Sequence, residues 1–320
     1  MTTPMFSMAP VAPPPWGRAL VTAGTGFLGS HLCERLLDAG VEVDCVDDPS
    51  TGSPRDIAHL VDSPGFRFLE RDLAGPGRAD TLPGRYDLVL HLTCQGAAVS
   101  PHRAPHGLDT AAAGTRTALA VAERDGARFL LASACHLYGD PLHTDPGNLP
   151  EAVEPGRLPE MLTAAHAAAE EADAGIVRVF PAYGPRMGPT DGAGLIPALV
   201  RQALDGGPVT VPGDGSATPS LCYVDDTVDG ILRVAASRSV RPVDIGGDPG
   251  ATVERIARHV IELTGSHARL EFTGTGAEDP GPRPETGFAH ELYGWTPKVS
   301  WEHGLKRTIA SFLDRRENAS

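Results

Sequence analysis

Three glycines, Gly24, Gly26 and Gly29, with the acid Asp47 further on, are the residues whose types and spacing suggest chemistry most directly. A glycine-rich turn lets the backbone approach a pyrophosphate, and the helix start behind it offers unpaired N–H groups and the positive end of a dipole. A carboxylate about 20 residues on can accept the adenosine ribose hydroxyls and repel a 2′-phosphate, which predicts NAD rather than NADP. The pattern carries weight only between a strand and a helix. Residues 19–21 read as a buried strand, 27–39 as an amphipathic helix, and 41–46 as a second strand with Asp47 at its end. A plain Gly-rich turn is the competing reading, and that context disfavours it.

The remaining elements follow the same alternation. Apolar runs at 66–69, 87–92, 127–132 and 176–180 read as strands, and 108–124 and 159–172 as helices. Strands alternating with helices predict an α/β, Rossmann-like, doubly wound parallel sheet over residues 18–180. Past Pro181 the loops are rich in Gly and Pro, with helices at 195–205, 225–236, 253–264 and 301–313. That half, 181–320, reads as a smaller C-terminal substrate lobe closing over the strand ends. Residues 1–17, holding Pro4, Pro10 and Pro13 to Pro15, read as a flexible tail and not as a signal peptide.

Composition narrows the function classes. The chain has 320 residues, 41% hydrophobic and 21% charged, with a formal net charge of -14. Such an acidic balance argues against nucleic acid or an anionic membrane as partner. No apolar run approaches the roughly 18 residues of a membrane helix. Five cysteines without framework spacing fit free thiols in a reducing cytoplasm. Lys298 and Lys306 are the only lysines.

Longer motifs then add up. They are Thr22-Ala-Gly-Thr-Gly-Phe-Leu-Gly-Ser-His31, Gly126-Ala-Arg-Phe-Leu-Leu-Ala-Ser133, Tyr138-Gly-Asp-Pro141 and Tyr183-Gly-Pro-Arg-Met187. Further on come Gly213-Asp-Gly215, Cys222-Tyr-Val-Asp-Asp226 and Gly294-Trp-Thr-Pro-Lys-Val-Ser300. In this order they resemble the extended short-chain dehydrogenases (NAD-dependent epimerases and dehydratases), and among them the UDP-glucuronate decarboxylases. The resemblance implies NAD as cofactor, held by Gly24, Gly26, Phe27, Leu28, Gly29, Asp47, Asp72 and Leu73. It implies a UDP-sugar substrate met by Arg186, Tyr223 and Arg283, and a homodimer through the helices beside the third and fifth strands.

The family's chemistry uses a Tyr-x-x-x-Lys pair on one helix, the tyrosinate acting as base and the lysine lowering its pKa. Between Tyr138 and Tyr183 this chain has neither a tyrosine nor a lysine. Setting Ala169-Glu170 on the family pattern puts Leu162 at the tyrosine and His166 at the lysine. Setting Arg157 on it puts Glu160 and Ala164 there. At the fifth strand the family's Ser-Thr-Ser-Glu becomes Ser133-Ala-Cys-His136, its helix Asn becomes Ala111, and the first fingerprint glycine becomes Ala23.

Candidate replacements are His136, whose neutral-range pKa suits an acid or base, Cys135 as a nucleophile, and His166. Each has a bland reading: polar filler in a disused pocket, a strand neighbour facing away from His136, and a solvent-facing helix histidine. Cys94, Cys135, His136, His102, His106 and His143 gather near strand ends, but without ligand spacing, so no metal is expected. Three functions follow. One is an NAD-binding nucleotide-sugar enzyme with a degenerate, atypical site. Another is a non-catalytic homologue forming a heteromer with an active paralogue. The third is a repurposed non-redox lyase or cyclase in biosynthesis.

Overall fold

The computed structural model describes residues 14–48, 52–75, 77–92, 104–134, 157–170, 172–187, 194–239, 241–276 and 279–317. Its first half alternates β1 (Arg18–Thr22), α1 (Phe27–Asp38), β2 (Glu42–Asp47), β3 (Phe66–Glu70), β4 (Leu88–Leu92), α2 (Ala104–Asp125), β5 (Arg128–Ala134), α3 (Arg157–Glu170) and β6 (Ala174–Val179). A 3-10 segment, Pro54–Leu60, follows β2. The second half adds β7 (Ala182–Tyr183), α4 (Leu195–Leu204), β8 (Val209–Val211), β9 (Cys222–Tyr223), α5 (Val224–Ala236), β10 (Val243–Ile245), α6 (Val253–Thr264), β11 (Leu270–Phe272), α7 (Gly287–Tyr293) and α8 (Trp301–Glu317).

The main sheet has seven parallel strands in the order β10-β6-β5-β4-β1-β2-β3. Chain direction across it reverses between β1 and β4, so the C-terminal ends of these strands open the crevice where ligands bind in such sheets. Burial on both faces explains the near-continuous apolar runs, such as Leu88–Leu92, in which every residue is buried. Alternate side chains serve two cores. Leu20, Val89, Phe129, Leu131 and Ile176 pack with Leu119 and Ala122 of α2. Ala19, Leu90, Leu130 and Val177 pack on the other face with Leu32 and Leu36 of α1 and with Val228 and Ile231 of α5.

The three-residue strand β10 was not expected. Its register of Val243 on Val177 and Ile245 on Val179 adds a strand from the second half to the sheet. The second half therefore shares a continuous apolar core with the first. Among the described residues no helix is long and apolar enough to cross a membrane.

Candidate functional site

The turn after β1 is built so that two glycines have no alternative. A Cβ on Gly29 would lie 2.3 Å from the Ala23 carbonyl oxygen and 2.7 Å from Gly24 Cα; one on Gly24 would lie 2.5 Å from Cys45 Sγ. Both clashes are internal, so these glycines close the turn against strand and helix instead of only clearing space for a ligand. Ala23 takes φ +50, the left-handed region that a glycine would occupy without strain. Gly26 then donates to the Ala23 carbonyl at 3.1 Å and caps α1 with no side chain. No acid stands in the first turn of that 12-residue helix, so its N–H groups and dipole face the crevice uncompensated. Phe27 and Leu28 are half-buried against the core, which leaves their backbone as the part facing a ligand. This cradle fits a pyrophosphate.

Asp47, at the end of β2, is oriented from two sides. Thr25 donates to its Oδ2 through the backbone N–H at 2.9 Å and the hydroxyl at 2.5 Å, and Asp48 N donates to Oδ1 at 2.9 Å. Burial raises its pKa despite these three donors. At the end of β3, the exposed Asp72 accepts from Ala74 N at 2.7 Å. The Leu73 carbonyl accepts the Thr117 hydroxyl of α2 at 2.8 Å. The turn, Asp47 and Asp72-Leu73 thus share the C-terminal edge of three adjacent strands. Thr25 was not singled out in the sequence, although it stands between two of the glycines.

A buried relay missed by the sequence reading lies beside them. Leu92 N donates to the Thr22 hydroxyl, which donates to His91 Nδ1 at 2.8 Å; His91 Nε2 donates to Thr115 Oγ1 at 3.1 Å, and Thr115 donates to the Ala111 carbonyl at 2.7 Å. That order of donors gives a neutral ring protonated at Nε2. Burial lowers its pKa to about 4, so His91 ties β1, β4 and α2 together without charge.

Cys135, His136, Cys94, His102 and His143 lie outside the described residues, as does the side chain of His106. Ser133, near the end of β5, is fully buried, and its hydroxyl has no hydrogen-bond partner among the described residues. The α3 sequence RLPEMLTAAHAAAE holds neither tyrosine nor lysine. In its first turn Glu160 accepts both ends of the Arg178 guanidinium, at 3.0 and 2.8 Å. Arg178 is opposite Ser133 at the C-terminal end of β6, so the start of α3 is the part of the helix nearest the crevice.

Leu162 packs into the core shared with α2. His166 is half-buried six residues beyond Glu160, about 9 Å further along the helix towards the opposite edge of the sheet. Among the described residues no cluster of three or more His, Cys, Asp or Glu is placed to hold a metal ion.

The expected substrate residues are dispersed in environment. Arg186, at φ +68, donates to His31 Nδ1 at 2.8 Å and forms an ion pair with Glu34, so its guanidinium is engaged by α1. Burial, and then Arg186, lower the His31 pKa to about 4, and its Nε2–H donates to the Pro185 carbonyl. Tyr223 is 1% exposed, edge-on to Tyr183 and covered by Arg307. Arg283 is exposed on the loop before α7.

Comparison with known proteins agrees with this architecture. Residues 19–246 match the NAD dependent epimerase/dehydratase family. The chain is 34% identical over 311 residues to a UDP-glucuronic acid decarboxylase 4 of Arabidopsis thaliana, covering 93% of this chain and 69% of the relative. It is 32% identical over 314 residues to a UDP-glucuronic acid decarboxylase 1 of Xenopus tropicalis, covering 94% and 73%. Among solved structures, a UDP-glucose 4-epimerase of Thermotoga maritima with UDP-glucose superposes with a TM-score of 0.79 at 26% identity, over 93% of this chain and 99% of that one. Matched by that family's model over most of its length and by relatives above 30% identity, the chain belongs to the NAD dependent epimerase/dehydratase family.

Proposed function

We propose that this protein binds NAD on the turn between β1 and α1 and acts on a nucleotide sugar of the UDP-glucuronate class. The acid–base group is not the family's tyrosine–lysine pair. One observation carries this reading: the glycine turn and Asp47 stand at the strand ends as a dinucleotide would need, whereas α3 holds no tyrosine or lysine. The first part is supported by the uncapped start of α1 and by Asp47 held through Thr25. The substrate class is supported by decarboxylase relatives at 34% and 32% identity.

When bound, NAD supplies reversible hydride acceptance at a sugar carbon. The chain's own residues bind and orient it: Asp47 receives the ribose hydroxyls, and the N–H groups of residues 27–29 receive the pyrophosphate. A group must still move the sugar hydroxyl proton, and His136, one residue after Cys135 in the stretch following β5, is the residue we assign to it. Arg283 is the exposed cation available to an anionic substrate. The proposal extends to a cytoplasmic location and to pairing with a second copy or a paralogue. Met161, 66% exposed on α3, supports the pairing.

The test is to denature freshly purified protein, identify any released nucleotide by mass spectrometry, and then assay UDP-glucuronate turnover in the protein and in His136→Ala. Stoichiometric NAD with turnover that His136→Ala abolishes is the expected result. NAD without turnover favours the non-catalytic homologue instead. Absence of bound nicotinamide together with no binding on titration would overturn the redox reading.

A further inference from the structure

The loop that orients Asp47 is tied to the far end of the chain. Arg315, in the last turns of α8, donates to Asp56 Oδ1 at 2.6 Å across 259 positions of sequence. The Asp56 carboxylate is 8% exposed and the Arg315 side chain 38%. Asp56 N donates to the Ser53 carbonyl at 2.9 Å, and Ser53 N donates to the Thr25 carbonyl at 3.0 Å. Thr25 is the residue whose N–H and hydroxyl hold Asp47. The loop sits so tightly on Thr25 that a Cβ on Gly52 would come within 2.2 Å of its hydroxyl oxygen. No other link in this series is as remote in sequence as the first.

We propose that Arg315 is a positioning residue for the adenosine half of the cofactor. It holds Asp56, and through Ser53 and Thr25 the carboxylate of Asp47, in the geometry that receives the ribose. The proposal rests on the reading of NAD as ligand. An opening of residues 52–56 would release Thr25 from one side, and apparent affinity falls by the fraction of molecules left in the competent state. A half-buried, charge-assisted pair of this kind corresponds to about a fivefold loss.

The decisive experiment measures NAD and ADP-ribose binding by calorimetry in the wild type, Arg315→Ala and Arg315→Lys. Hydrogen exchange at the Ser53 and Asp56 amides and the denaturation midpoint of the ligand-free proteins are measured alongside. The expected result is a loss of about fivefold for both ligands in Arg315→Ala, with partial rescue in Arg315→Lys. Exchange at Ser53 is faster while the midpoint is nearly unchanged. Equal affinity in wild type and Arg315→Ala overturns the role. A fall in affinity that only tracks a fall in the midpoint also overturns it, because a structural strut would do the same. A wild type that binds neither ligand overturns this role and the NAD reading together, which distinguishes that failure from the other two.

Discussion

Glu160 in the first turn of α3 and Arg178 near the end of β6 meet through two parallel hydrogen bonds, at 3.0 and 2.8 Å. The side chains are only 13% and 27% exposed, so the pair is largely shielded from water. It anchors the start of the helix that the family uses for catalysis to the strand beside it. Glu160→Ala is expected to cost about 2 kcal/mol by removing these two charge-assisted hydrogen bonds. Urea denaturation of Glu160→Ala, Arg178→Ala and the double variant would show it. The double variant should lose less than the sum of the singles, and strict additivity would count against a direct coupling.

Ala23 offers a prediction of the opposite sign. A left-handed alanine costs about 1–2 kcal/mol in strain, and a glycine gives back about 0.5–1 kcal/mol in unfolded-state entropy. Ala23→Gly, at φ +50, should therefore be stabilising by up to about 1 kcal/mol, read as a higher denaturation midpoint. A lower midpoint would mean that the strain is relieved elsewhere. Gly29→Ala tests the same turn, since its Cβ would meet backbone atoms that cannot swing aside. It should remove NAD binding altogether.

Asp44 gathers more charge than any other described carboxylate of the sheet. Buried on β2, it receives Arg18, Arg67 at 2.7 Å and the Tyr86 hydroxyl at 2.6 Å. Burial, then the bond to Asp44, push the Tyr86 phenol well above its ordinary pKa. Asp44→Ala takes the shared carboxylate from both guanidinium groups and from Tyr86, while Arg18 keeps Glu42 and Arg67 keeps the Pro83 carbonyl, and should cost about 2–3 kcal/mol. Thermal denaturation measures this directly, and a loss below about 1 kcal/mol would be inconsistent with a buried network.

Acid should unfold the protein through its buried histidines. His91 and His31 both have pKa values of about 4 in the folded chain, against 6.5 as the ordinary value. A lowered histidine pKa means that the unfolded chain binds the proton more readily. Stability is therefore full above pH 6.5 and falls as the pH drops from 6.5 through 4. Each ring contributes at most about 3 kcal/mol to that fall. Denaturation midpoints across this range should drop steeply in the wild type and less so in His91→Gln, and an unchanged slope would remove His91 from the account.

Much of the first half was legible in the sequence because its signals are local. The apolar run of β4, the glycines between β1 and α1, and an acid at the end of β2 each depend on neighbours a few positions away. Period and turn chemistry report such neighbours directly. The lack of a tyrosine or lysine between Tyr138 and Tyr183 was likewise plain from residue identity alone. Tertiary packing decided the rest. Three residues, Val243–Ile245, become a sheet strand only because β6 offers them an edge. Arg186, expected at the substrate, also pairs with Glu34 of α1. His91 is neutral because Thr22 and Thr115 converge on it in a buried site, and Asp56 is held by Arg315 from the other end of the chain. Those partners are remote in sequence, and burial and charge act through distance in space, which no local pattern records.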